Sequence, residues 1–194
     1  MRNVIKTLVV GSAVLLPCSQ LLAVDAELTA TANFRVVLTA TQTTALNFSP
    51  GADIEYSGTP GTETLTVATN NDRAETGSFF VIPNATGQAG VVTITGTSGE
   101  VVDIACDDSS VMQNAAGDQI TLSAVEIHTG AGTTLAGGTD CTGTGNNVAT
   151  LTLDGTDAVR VGGTIVANSL DDVTAGNYST ATATDPVVIR IVYQ

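Results

Sequence analysis

The chain has no tryptophan, one histidine, three cysteines and only seven phenylalanines and tyrosines together, and its six lysines and arginines face nineteen acidic residues. Each scarcity excludes something. So few cationic side chains cannot neutralise a phosphate backbone, so nucleic acid is not an expected partner. One histidine and two cysteines expected to be bonded to each other, Cys18 being expected to leave with the signal peptide, do not make a zinc set. His128 ends a strand-like run with no cysteine or carboxylate at a triad spacing, and is expected to be structural or exposed. Paired carboxylates can hydrolyse glycosides, but such clefts are usually lined with aromatics, which are sparse here. No Gly-x-Ser-x-Gly elbow occurs. The glycine pair in Val161-Gly162-Gly163-Thr164 is followed by neither a helical pattern nor a lysine, which a phosphate loop needs. The adjacent acidic pairs Asp107-Asp108 and Asp171-Asp172 do not continue into a calcium-loop pattern. The acidity is read as a solvated, self-repelling surface. No catalytic residue, cofactor-binding residue or metal ligand is assigned, no cofactor is expected, and the chain is not expected to be an enzyme.

Long apolar runs are also missing, with one exception at the N-terminus. Arg2 and Lys6 precede Leu8–Leu16, an apolar stretch of signal-peptide length, and Pro17 and small residues follow it. Residues 1–26 are expected to be a cleaved signal peptide, with cleavage after Ala26 or, alternatively, after Ala23. The run is too short to span a bilayer stably, so no stable membrane insertion is expected. Leu15-Leu16-Pro17-Cys18 is loosely lipobox-like, but proline before the cysteine argues against lipidation. The chain is expected to be exported. Cleavage leaves about 168 residues, enough for one domain with a real core. Two cysteines remain, Cys106 and Cys141, and an even pair in an exported protein is expected to be oxidised.

What the chain has in abundance is threonine, valine, alanine and glycine. Branching at Cβ suits the first two to a pleated surface, and the repeated Gly, Asn and Asp clusters are turn material. No stretch sustains a helical period, so an all-β sandwich of many short strands is expected. Strands are expected near 28–40, 45–48, 62–68, 78–82, 91–95, 101–106, 120–128, 148–153, 158–161, 164–167 and 187–194. Gly96-Thr97-Ser98-Gly99 reads as a hairpin turn, the phase change at Ala124-Val125 as a bulge, and 130–147 as a long loop pinned by the disulfide. Two segments stand out by strict alternation. Near the C-terminus, Val187, Ile189, Ile191 and Tyr193 share one face. In 27–40, Leu28, Ala30, Ala32, Phe34, Val36 and Leu38 share another. One strand of this pair is expected to complete the sheet containing the other, within a molecule or between molecules.

Three blocks carry a resemblance: Ala45-Leu46-Asn47-Phe48 after the alternating first strand, Val161-Gly162-Gly163-Thr164-Ile165-Val166, and Ala175-Gly176-Asn177-Tyr178 followed by a strand ending in Tyr193. In this order they resemble the pilin-like DUF4402 family and are similar to chaperone–usher pilus subunits. The Cys106–Cys141 pair departs from the early disulfide usual in those pilins. The resemblance implies an immunoglobulin-like sandwich over 41–194, lacking its last strand and completed by donor-strand exchange. It implies a non-catalytic, Gram-negative surface-fibre subunit, shaft or tip being left open, with 27–40 as donor strand. It also implies a place in the periplasm in transit and then at the cell surface. Its implied partners are neighbouring copies of itself, a periplasmic chaperone and an outer-membrane usher. The alternative is a monomeric secreted adhesion or binding module closed by its own first strand.

Overall fold

The computed structural model describes residues 31–32, 34–56, 63–77, 79–82, 86–130, 138–143, 146–167, 174–182 and 186–194. The expected signal peptide, and Leu28 and Ala30 of the first strand, lie outside them. Thirteen strands occur among the described residues, all paired antiparallel: β1 Thr39–Thr44, β2 Asp53–Tyr56, β3 Glu63–Val67, β4 Arg73–Thr76, β5 Phe79–Ile82, β6 Gly90–Thr95, β7 Val101–Cys106, β8 Ser110–Gln113, β9 Gln119–Thr129, β10 Thr139–Asp140, β11 Asn147–Thr152, β12 Thr156–Ala167 and β13 Ile189–Tyr193. Among the described residues one 3-10 turn, Thr180–Thr182, lies between β12 and β13. The chain is all-β, as its composition requires.

Strand β12 organises the larger sheet. One of its edges carries β9, and the other is shared, with β6 against Thr156–Val161 and β3 against Gly163–Ala167. Strands β1 and β4 flank β6 and β3, while β8 and β10 pair with β9. The second sheet has the order β11-β7-β13, and β2 and β5 form a separate pair. The two larger sheets contribute to one core. Leu65, Ile94, Leu122, Ile127, Val159 and Ile165 come from the first, and Val102, Ile104 and Cys106 come from β7 of the second. Period-two alternation puts these side chains inside and threonines outside, where Thr66–Thr164 and Thr43–Thr93 make hydroxyl hydrogen bonds across neighbouring strands at 2.8 and 3.2 Å.

The chain does turn at 96–99, with Glu100 N–H donating to the Thr97 carbonyl, but not as the expected hairpin. Strand β6 lies in the larger sheet and β7 in the second, and the two do not pair, so the turn carries the chain from one sheet to the other. The phase change in β9 is a bulge. Ala124 has φ of +45° there, and the pairing with β12 shifts between Gly162 and Thr164. Other expectations need correction. The two strands expected at 158–161 and 164–167 are one continuous β12. The loop 130–147 contains β10, and β2, β4 and β8 were not foreseen. Residues 45–48 form no strand: Asn47 makes an isolated bridge to Gln88, and Phe48 turns into the core. The strand expected over 28–40 begins only at Thr39, because the described residues before it have no ladder to join.

Gly162 explains why a glycine pair sits mid-strand instead of breaking it. A Cβ there would lie 2.7 Å from the Val67 carbonyl oxygen and 2.8 Å from Glu126 Oε1. The Glu126 carboxylate crosses this bare position to accept backbone N–H groups of Thr69 (3.1 Å) and Gly138 (3.3 Å), tying two loops to the sheet. Gly162→Val should therefore displace Glu126 and push β3 from β12. The expected cost is about 1–3 kcal/mol, read as a lowered urea midpoint. An unchanged midpoint would contradict the crowding.

Candidate strand-accepting groove

Several strands have a neighbour on one side only among the described residues, and two of these edges, those of β1 and β13, face a common cavity. Strand β1 has β6 on one side, and β13 has β7 on one side; among the described residues nothing pairs with the opposite edge of either. Between them lies a cavity of about 570 Å³, walled by Ala40 and Gln42 of β1 and by Ile189 of β13, with Leu46, Val92 and Met112 among its apolar lining.

The wall made by β13 is held at its start by Asp107, the residue after β7. Its N–H donates to the Val188 carbonyl at 3.2 Å, and its Oδ2 accepts the Val188 N–H at 3.0 Å. Its Oδ1 accepts Arg190 Nη1 at 2.9 Å. Beside it, Cys106 and Cys141 are joined by a disulfide, as expected from their pairing. The far end of β13 is held by Tyr193, whose hydroxyl accepts the Thr97 N–H (2.8 Å) and donates to the Val36 carbonyl (3.0 Å).

Tyr178 also lines the cavity. Its hydroxyl accepts the Thr174 N–H at 2.9 Å and donates to the Thr174 carbonyl at 3.1 Å, closing a tight corner over Ala175-Gly176-Asn177. This is the physical content of that motif: a tyrosine four residues on fastens the turn. Asn114, buried, braces the corner through Thr174 Oγ1 and Asp118. The Thr174 hydroxyl and then the Asn114 amide hold the Asp118 carboxyl below the ordinary carboxylate range.

The singled-out residues fall as follows. Val187, Ile189, Ile191 and Tyr193 are half-buried and pack against the core. On the N-terminal arm Ala32 is exposed, Phe34 is 91% exposed, Val36 55% and Val37 79%, whereas Leu38 packs against the core. The six-residue face is thus not one surface in the folded chain: Leu38 belongs to its own domain. Strict alternation hid this, because it is continuous through residue 38. Sequence reasoning missed Arg35, Thr97, Glu100 and Asp107, each a polar residue whose partner lies far along the chain. His128 is half-buried, with Nδ1 3.0 Å from the Thr129 carbonyl. Among the described residues no group of three His, Cys, Asp or Glu could hold a metal ion, and no helix is long and apolar enough to cross a membrane.

No family model matches the chain, and neither a curated protein nor a solved structure does. What the arrangement can do therefore follows from its geometry. It can accept an extended segment whose backbone pairs with two open edges and whose apolar side chains fill the space between them.

Proposed function

We propose that the protein is a non-catalytic structural subunit of a bacterial surface fibre, exported through a signal peptide in residues 1–26 and assembled by strand donation between copies. One observation carries this reading. A single chain combines an apolar groove between two unpaired edges with an N-terminal arm whose Phe34 is 91% exposed and followed by the exposed Val36 and Val37. An open edge is an aggregation liability that must be covered. Strand addition covers it with main-chain hydrogen bonds, and alternate side chains supply specificity. A groove at one place and an arm at another make a heterologous contact, which propagates head to tail. The tyrosine corner before β13 supports an immunoglobulin-like sandwich, in which the groove is the place of an absent strand. A periplasmic chaperone and an outer-membrane usher would then protect and deliver the open subunit.

The test is assembly on cells and on gels. Unheated native protein should run as a ladder in detergent gels, and sheared surface material should contain fibres. A chain lacking Leu28–Phe34, which spares β1, should be exported and should run only as the smallest species. Phe34→Asp should do much the same, because a carboxylate buried without a partner costs several kcal/mol. A monodisperse native monomer with no fibres would overturn the reading in favour of a binding module closed by its own arm.

A further inference from the structure

We infer that the arm is divided at Arg35: residues 27–34 are the part given to a second copy, while residues 35–38 stay on their own domain as a clasp that bars the arm from its own groove. This rests on the fibre reading and settles what alternation alone leaves open, namely whether donation is to self or to another copy.

The clasp is a closed ring of contacts. Val36 N–H donates to Thr97 Oγ1 at 2.7 Å, Thr97 N–H donates to the Tyr193 hydroxyl at 2.8 Å, and that hydroxyl donates to the Val36 carbonyl at 3.0 Å. Both main-chain polar groups of Val36 are thereby committed to its own domain. Arg35 adds an ion pair to Glu100 at 3.2 Å and lies over the Tyr193 ring at 5.3 Å from its centre. Leu38 is seated below, close enough to Gly96 that a Cβ on that glycine would lie 3.2 Å from Leu38 Cδ1. Three residues of the arm's root, Arg35, Val36 and Leu38, are thus held by the β6–β7 turn and the end of β13.

The position of the ring decides its effect. Tyr193 ends β13, while the cavity reaches β13 at Ile189 and the preceding Pro186–Val188. The ring therefore ties the arm to β13 at one end of the edge, and the open space lies toward the other. To enter its own groove the arm would have to reverse direction between Phe34 and Thr39. That reversal pulls Val36 off both partners and breaks the Arg35 contacts. A second copy's arm meets no such obstacle. The eight residues 27–34 reach roughly 27 Å when extended, longer than the roughly 17 Å of edge offered by Ala40–Thr44. Leu28, Ala30, Ala32 and Phe34 are then the inserted side chains, and Val36 and Leu38 are not.

The experiment compares full-length wild type with Tyr193→Phe/Thr97→Val, which removes the ring's hydroxyls and keeps its shape. Arg35→Gln/Glu100→Gln is a second variant, which opens the ion pair at half-exposed positions and spares the fold if the first does not. Unheated gels measure the monomer fraction, and hydrogen exchange of peptides covering 27–34 and 186–194 in the monomer band reports whether the arm has entered its own groove. The expected result is a ladder for wild type, and in at least one folded variant a monomer fraction raised tenfold or more with both peptides newly protected. A wild-type ladder with folded variants that polymerise unchanged would overturn the clasp and leave the fibre reading standing. A wild type that forms no ladder would overturn both. Leu38→Ala should lower the melting temperature of the subunit while its arm still donates; a loss of donation without loss of stability would overturn the division at Arg35.

Discussion

A chain truncated after Asp185 will fail to accumulate as folded protein. The truncation removes Val187, Ile189, Ile191 and Tyr193, each half-buried against the core. Full burial of such side chains is worth roughly 1.5–3 kcal/mol each, so half-burial of four gives several kcal/mol. It also removes the whole β13 ladder on β7, from Ile189 against Cys106 to Tyr193 against Val102. Strand β7 would then lose a neighbour over Val102, Ile104 and Cys106, all fully buried in the intact chain. A domain stable by about 5–15 kcal/mol cannot lose this and stay folded at physiological temperature. Immunoblots of periplasmic extracts should show little truncated protein, and what is purified should lack a cooperative urea transition. Ile191→Ala is a graded control expected to cost about 1–2 kcal/mol, below the range for fully buried isoleucine because Ile191 is half-exposed. Normal accumulation of the truncated chain would show that β13 is dispensable, and would remove one wall of the groove from the argument.

The same strand shows what the amino-acid sequence makes legible. Strands β3, β6, β7, β9 and β13 fall where runs of β-branched and apolar residues place them, and in β3 and β9 the burial alternates with the residue types. Strand β4 was not legible: Arg73–Thr76 is largely exposed and has a neighbour on one side only, so no period marks it. Strand β10 is two residues long, too short for any period. Residues 28–38 alternate as strictly as β13, yet the described part forms no strand. Alternation shows that a segment has an apolar face, not where the partner for that face lies. The glycines at 162 and 163 misled for the opposite reason. They look like punctuation, yet Gly162 is there because Glu126 and the Val67 carbonyl leave no room for a side chain, and a Cβ on Gly163 would lie 3.1 Å from Leu122 Cδ1. The groove itself was inferred only as an expectation of pairing between the two ends. Its walls come from segments about 150 residues apart, and Tyr193, Thr97 and Val36 meet only once both sheets exist.

Removing the disulfide should be the most damaging change that deletes no strand. The bond between Cys106 and Cys141 closes a loop of 35 residues, and in the chain-entropy model such a link stabilises by roughly 3–4 kcal/mol through the unfolded state. Cys106 is the last residue of β7, and its neighbour Asp107 fixes the start of β13 through Val188 and Arg190. Cys141 keeps one other anchor when the bond is cut, its N–H donating to the Val125 carbonyl at 2.8 Å. Reduction should therefore loosen the β13 wall of the groove before it unfolds the larger sheet. The double variant Cys106→Ala/Cys141→Ala should lower the urea midpoint by roughly 2 M for a denaturant slope of about 2 kcal/mol per molar. Reduced wild type should fall by a similar amount, because both lose the same constraint. Hydrogen exchange should show the earliest loss of protection in 186–194. Intact-mass analysis of alkylated native protein should find no free thiol. A midpoint that stays within 0.3 M (about 0.6 kcal/mol at that slope) in both reduced and double-variant protein would show that the link adds little. The hold on β13 would then have to come from Asp107 alone.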